Sequence, residues 1–269
     1  MSTALVERAG ISAHGLRFDL EYRWIEPRRR DRPLLVFLHE GLGSVAMWRD
    51  FPDRLCAGAA CRGLVYSRRG YGQSTPRPPG ERWPVDFMHR EAGEVLPALL
   101  HALDLQEERP LLFGHSDGGS IALLYAAMYP EKTAGVVVAA PHIFVEDVTL
   151  ANIEAARAAY LRTDLRQRLA RYHADPDSAF WGWNQVWLDP AFARWNIEDH
   201  LSGLRCPTLA MQGLDDEYGT LAQIEGIQRH APQTRLLTLP ECRHSPHRDQ
   251  PQAVIQAVAD FVGGLPGRA

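Results

Sequence analysis

The run Leu111-Leu112-Phe113-Gly114-His115-Ser116-Asp117-Gly118-Gly119-Ser120 decides the fold of this 269-residue chain. Leu111 to Phe113 is a short, continuous apolar segment, the pattern of a strand buried on both faces. Beyond Ser116, Ile121, Leu124, Tyr125 and Met128 recur at helical spacing until Pro130 stops the helix. A serine placed between the two in G-x-S-x-G occupies a sharp strand-to-helix turn. The positions two before and two after must be small because the backbone approaches itself there, and the turn lifts Oγ above the sheet edge. The helix start beneath it supplies N–H groups and a positive dipole end where an oxyanion would form. A plainer reading has Gly114 and Gly118 serving a tight turn and Ser116 capping a helix; the downstream residues count against it.

A serine alcohol is a weak nucleophile that needs a base, and the base needs an orienting carboxylate. The apolar run Thr208 to Met211 ends in Gln212-Gly213-Leu214-Asp215-Asp216-Glu217, and Arg235 to Leu239 ends in Pro240-Glu241-Cys242-Arg243-His244-Ser245-Pro246-His247. Carboxylates and then an imidazole therefore stand on successive loops at strand C-terminal ends, where open α/β sheets place their sites. Both Asp215 and Asp216 are available as the acid.

Working outward, Leu16 to Trp24 alternates apolar and charged residues, as an antiparallel strand with one wet face does. Leu34 to Leu38, Leu64 to Tyr66 and Val136 to Ala140 are continuous apolar runs that read as parallel strands. Helical patterns lie between them, notably Phe87 to Leu105, and later Leu221 to His230 and Gln252 to Val262. Strand and helix alternate, so the fold class is α/β with a mostly parallel sheet and helices on both faces. The rhythm breaks between about Phe144 and Leu204, where Asn152 to Tyr172 is helical and an aromatic-rich stretch follows. The expected organisation is a core of residues 1–143 and 204–269 with a helical lid insertion at 144–203.

The chain is 45% hydrophobic and 23% charged, enough apolar content for one substantial core. A net charge of -4 without a sustained basic run disfavours nucleic acid or an anionic membrane as partner and leaves a small-molecule substrate. Of 29 basic residues only Lys132 is a lysine, which counts against Schiff-base and Walker-type phosphate chemistry. Cys56, Cys61, Cys206 and Cys242 lack metal or redox spacing, and a reducing, cytoplasmic compartment is the default expectation. Met1 to Gly10 holds no apolar run of signal-peptide length, and no stretch approaches the ~20 apolar residues of a membrane span.

On these motifs the chain resembles the α/β-hydrolase superfamily over nearly its whole length, and within it the lid-bearing serine esterases and the carbon–carbon bond hydrolases of aromatic ring cleavage. The resemblance implies Ser116 as nucleophile, Asp216 as the acid and His244 as the base, with Arg243 standing where the family usually has glycine. His39-Glu40-Gly41-Leu42-Gly43 stands where the family has H-G-x-P-G, so the backbone N–H groups of Gly41 and Asp117 are the expected oxyanion-hole donors. Glu40 is then expected to face away and to hold its loop by hydrogen bonds, since an inward carboxylate would oppose the oxyanion. Ser67-Arg68-Arg69-Gly70-Tyr71-Gly72-Gln73-Ser74, with serine for the family's aspartate, is expected to be scaffolding. So are His39, His115, His142 and His247, and the Asp117 side chain is expected to point away from Oγ. Four of seven tryptophans fall in the insertion. Trp181, Trp183 and Trp187 are candidates to line a pocket over Ser116, against the alternative that they form the insertion's own core.

The activity implied is hydrolysis of a small to medium, apolar or aromatic carboxylic ester through an acyl-enzyme, without metal or organic cofactor. Carbon–carbon hydrolysis of ring-cleavage products, thioester hydrolysis and a non-enzymatic binding role are the alternatives. A homo-oligomer is compatible with the sequence.

Overall fold

A computed structural model describes residues 5–265; residues 1–4, the start of the N-terminal stretch read for a leader, and 266–269 lie outside the described residues. One sheet of eight strands organises the chain: β1 (Val6–Ala13), β2 (Leu16–Ile25), β3 (Leu34–Leu38), β4 (Arg62–Tyr66), β5 (Leu111–His115), β6 (Gly135–Ala139), β7 (Thr208–Gly213) and β8 (Thr234–Leu239). Their spatial order is β1-β2-β4-β3-β5-β6-β7-β8. Only the β1–β2 and β2–β4 pairs are antiparallel, so the chain adopts the expected α/β-hydrolase architecture with a mostly parallel sheet.

The five strands from β3 to β7 are buried at every position. Helices cover both faces, so alternation would gain nothing and the strands read as unbroken apolar runs. Two buried clusters follow, one per face. On one face Val36 and Leu112 pack with Ile121, Leu124 and the insertion's aromatics, while on the other Phe37 and Phe113 pack with Trp48, Phe51 and Phe261.

Three features differ from the sequence reading. Strand β1 is an added edge, paired Val6↔Arg23 through Ala13↔Leu16; of its buried residues Ala9, Ile11 and Ala13 only Ile11 is large, too weak a signal amid Glu7, Arg8 and Gly10. Phe51–Gly58 is a helix, short and with Pro52 in its first turn. The helical run from Phe87 is not uniform: Phe87–Arg90 and Leu96–Ala102 are α, but Glu91–Val95 is a π turn. Such turns carry one extra residue and push side chains off the helical register.

Between β6 and β7 the chain leaves the sheet for helices Asp147–Arg162, Leu165–Leu169, Pro176–Trp187 and Glu198–Leu201. Asp175 caps the third of these, its carboxylate accepting from the N–H groups of Asp177 and Ser178, with Pro176 at the first position. This segment builds its own aromatic core. Tyr160 stacks on Phe180 at 3.8 Å, Phe192 on Trp195 at 5.3 Å, and Trp187 meets Phe192 edge-on at 4.9 Å. Among the described residues no helix is long and apolar enough to cross a membrane.

Candidate active site

The registers Leu38↔Gly114, His115↔Ala139 and Gly213↔Leu239 bring the C-terminal ends of β3, β5, β6, β7 and β8 to one edge, and the site is assembled there. Ser116 follows β5 directly with φ 52° and ψ −120°, a conformation held against local strain. A Cβ on Gly114 would lie 2.2 Å from the Gly118 carbonyl oxygen, and one on Gly118 would lie 2.1 Å from that of Leu38. Glycine at both positions is thus a steric requirement of this turn.

The acid and base loops touch. Gly213 passes so close to the β8 loop that a Cβ would lie 2.1 Å from the Cys242 carbonyl oxygen, and Asp215 N–H donates to that same oxygen at 3.0 Å. Asp216 and His244 are thereby set face to face. His244 Nδ1 lies 2.8 and 3.0 Å from the two Asp216 oxygens, and His244 Nε2 lies 3.0 Å from Ser116 Oγ. Asp216 also accepts from Gln212 Nε2 at 2.6 Å and from Tyr218 N–H at 2.8 Å. Burial pushes its carboxyl up, but these bonds and the His244 ring hold it below the usual carboxylate range. Asp215 is exposed and carries no such contact to the imidazole. His115 Nε2 donates to the His244 carbonyl at 2.6 Å, and His244 N–H donates to Glu217 at 3.2 Å. Arg243, in the family's glycine position, pairs with Glu217 at 3.1 Å.

A pocket of about 110 Å³ opens over Ser116. Gly41, Asp117, Trp183 and Trp187 line it, together with Glu40, His142 and Tyr218. The Trp183 indole lies so close to Gly41 that a Cβ there would meet Nε1 at 2.2 Å. Trp187 Nε1 donates to Asp117 Oδ1 at 3.1 Å, which ties that side chain to the insertion. Asp117 Oδ2 faces the buried Arg68 guanidinium at 3.6 Å. Burial raises the Asp117 pKa, while Arg68 and Trp187 oppose that shift. Trp181 departs from expectation: it packs edge-on against Tyr160 and Phe180 and lines a separate groove beside Arg77 and Asp175. It stands two residues from Trp183, and on a helix that spacing points to another face.

The loop after β3 is held differently from the expectation as well. The backbone carbonyl of Glu40, rather than its carboxylate, makes the hydrogen bonds: it accepts from His39 Nδ1 at 2.6 Å, Arg68 Nη2 at 2.9 Å and Gly43 N–H at 3.1 Å. The carboxylate folds over Gly43 and lies 3.5 Å from His115 Nδ1 and 3.7 Å from Arg248. Burial pushes Glu40 up, yet those neighbours hold it well below its ordinary value. In a planar trans peptide the N–H points opposite to the C=O. Three donors anchoring the Glu40 carbonyl therefore fix the direction of the Gly41 N–H.

His39 is fully buried, accepting from Arg68 N–H at 3.0 Å through Nε2. His247 sits against Trp48 and Phe51 with ring centroids 4.8 and 5.3 Å away, a structural place near the one expected. His142 is part of the pocket wall, 5.0 Å from the Trp187 ring, and burial pulls its pKa down to about 3. Two contributors had no signal in sequence. Tyr218 covers His244 at 4.7 Å between ring centroids. His173 of the insertion accepts from Gly72 N–H at 2.9 Å and donates to the Leu42 carbonyl at 3.0 Å, tying the insertion to the β3 loop.

A serine on a strand-to-helix elbow, with histidine and aspartate delivered by the last two strand ends of a mostly parallel sheet, defines the α/β-hydrolase class. Residues 35–257 match the model of the alpha/beta hydrolase family, and the chain belongs to that family. It is similar to the human serine hydrolase BPHL, 28% identical over 196 residues that span 68% of this chain and 63% of that protein, just under two thirds of the relative's length. It is also similar to the mouse sn-1-specific diacylglycerol lipase ABHD11, 26% identical over 86% of this chain and 81% of that one. Among solved structures, a thermophilic esterase from Thermogutta terrifontis superposes with a TM-score of 0.70 at 21% identity, covering 95% of this chain and 98% of its own.

Proposed function

We propose that the protein is a serine hydrolase that cleaves a carboxylic ester through an acyl-enzyme. The observation that carries this reading is the unbroken chain Ser116 Oγ, His244 Nε2, His244 Nδ1, Asp216, at 3.0 and 2.8 Å, opening into a pocket with largely apolar walls. His244 takes the Ser116 proton as Oγ attacks the carbonyl carbon. Asp216 holds the imidazole in the tautomer that leaves Nε2 free to accept, and stabilises the imidazolium once formed. The N–H groups of Gly41 and Asp117 receive the oxyanion; His244 then protonates the leaving alcohol, and water cleaves the acyl-enzyme by the same roles in reverse.

The insertion acts as a lid in this reading, supplying Trp183 and Trp187 to the pocket wall. At about 110 Å³ the space is smaller than the roughly 150 Å³ cavity that accommodates benzene, so short acyl groups fit best and bulky leaving groups extend outward. A ring-cleavage dienoate would need a cation for its carboxylate, and among the described residues no arginine or lysine lines this pocket.

A p-nitrophenyl ester series of increasing acyl length, assayed with wild type and Ser116→Ala, tests the proposal. Turnover by wild type, an optimum at short acyl chains and loss of activity in the variant are expected. A variant as active as wild type would remove Ser116 from the mechanism.

A further inference from the structure

A second cavity, about 330 Å³, lies between the β1–β2 hairpin and residues 82–95. It shares no lining residue with the pocket over Ser116. Its size reaches the range of small-molecule sites, and its walls are aromatic: Phe18, Trp83 and Phe87. Among its polar lining side chains are Arg68, Tyr71 and Glu91. Arg68 is 1% exposed and Tyr71 3% exposed.

Their hydrogen bonding is incomplete. Among the described residues neither the Arg68 Nε–H nor the Tyr71 hydroxyl proton has an acceptor, and Glu91 Oε2 accepts no bond. Buried polar groups are rarely left so, because each costs free energy comparable to a lost hydrogen bond. Arg69, by contrast, spends both terminal nitrogens on Glu81 at 2.9 and 2.7 Å, and Arg90 is paired with Asp86. The unspent capacity thus falls on Arg68, Tyr71 and Glu91, with the Arg68 guanidinium 4.8 Å from the Tyr71 ring centroid.

The charge balance selects the ligand. Of the arginines that line the cavity, Arg68 faces Asp117, Arg69 pairs with Glu81 and Arg90 with Asp86, while Arg82 has no ion pair among the described residues. Glu91 projects from the π turn, and burial pushes its carboxyl up to about 7, so near neutral pH it is partly protonated and able to donate. Two unspent donors, the guanidinium of Arg82 and a carboxyl that tolerates an anion suit an acceptor bearing one negative charge. Aromatic walls suit a flat apolar body attached to it.

We propose that this cavity binds a small aromatic or compact aliphatic carboxylic acid, its carboxylate on Arg68 and Tyr71 and its apolar body between Phe18, Trp83 and Phe87. The site does not depend on the role of Ser116. Arg68 nevertheless belongs to both regions, since its Nη2 reaches the Glu40 carbonyl.

The tryptophan indole N–H signals of the ¹⁵N-labelled protein separate the two pockets: Trp83 reports on this cavity, Trp183 and Trp187 on the one over Ser116. Phenylacetate is titrated against the uncharged phenylacetamide, with Trp83→Phe to assign the signal. Phenylacetate is expected to shift the Trp83 resonance saturably with a Kd of about 1 mM or below, leaving Trp187 unmoved, with the amide at least about tenfold weaker. Tyr71→Phe, confirmed folded by its indole spectrum, should weaken the acid about fivefold or more. No saturation by about 20 mM, equal affinity for acid and amide, a response confined to Trp187, or wild-type affinity in Tyr71→Phe would each overturn the proposal.

Discussion

Arg68 Nη2 donates to the backbone carbonyl of Glu40 at 2.9 Å, and the other end of that same peptide is the Gly41 N–H. A buried guanidinium behind the elbow therefore aims a backbone donor on its other side.

If that N–H receives the oxyanion, Arg68→Lys should lower kcat by about 10- to 100-fold, less than outright loss of a hole donor, while KM stays within about threefold. Lysine keeps the charge near Asp117 but not the planar guanidinium that holds Nη2 between the Glu40 carbonyl and Asp117. Steady-state kinetics on the best p-nitrophenyl ester decide it; an elevated KM with unchanged kcat would assign Arg68 to ground-state binding instead.

Asp216→Asn should reduce kcat by about 10⁴-fold with the fold intact, because asparagine stabilises the wrong imidazole tautomer and no longer balances the imidazolium. The neighbouring Asp215→Asn, at an exposed carboxylate, should remain within about twofold of wild type. Equal effects of the two substitutions would undo the assignment of the acid.

Gly41→Ala should be nearly inactive, since the new methyl would lie 2.2 Å from Trp183 Nε1. Adding Trp183→Ala to it should restore part of the activity, and Trp183→Ala alone should move the acyl optimum to longer chains. Trp181→Ala, in its separate groove, should leave the chain-length profile unchanged. The acyl-length series on all four variants is the measurement.

Glu91 gives a pH-dependent stability with a defined sign. Burial raises its pKa from an ordinary 4.5 to about 7, so the folded state binds the proton more tightly than the unfolded chain. Stability from this group is full below about pH 4.5 and is lost as pH rises through about 7, up to about 3 kcal/mol in all. Glu91→Gln cannot titrate, so its Tm relative to wild type should climb between about pH 5 and 8. Thermal melts across that range test it, and a constant Tm difference would show that Glu91 does not titrate there.

The sequence by itself determined the fold class, the elbow serine Ser116 and the two loops that carry the candidate acid and base. Each rests on a local demand: apolar runs for strands buried on both faces, helical periodicity between them, and glycines where backbone meets backbone around Ser116. Chain order added the Asp215-Asp216 and His244 loops, because parallel strands deliver their following loops to one edge, and the family resemblance chose Asp216 between the two carboxylates. Strand β1 escaped because two of its three buried residues are alanines, and the Phe87 helix was read as uniform because the π turn is five residues between α-helical stretches whose apolar spacing carries the pattern.

Tertiary structure decided the rest. Trp181 and Trp183 are equally aromatic in sequence, and only the face each takes on the Pro176–Trp187 helix separates the outer groove from the pocket. Glu40 looked like a side chain holding a loop, whereas its carbonyl does so through His39, Arg68 and Gly43. Arg68 meets Asp117, and His173 meets the Leu42 carbonyl across 131 positions, by packing of elements that are remote along the chain. Local sterics and periodicity are written in neighbouring residues. The direction of a peptide N–H, or an unspent donor in a second cavity, depends on which distant surfaces close over it.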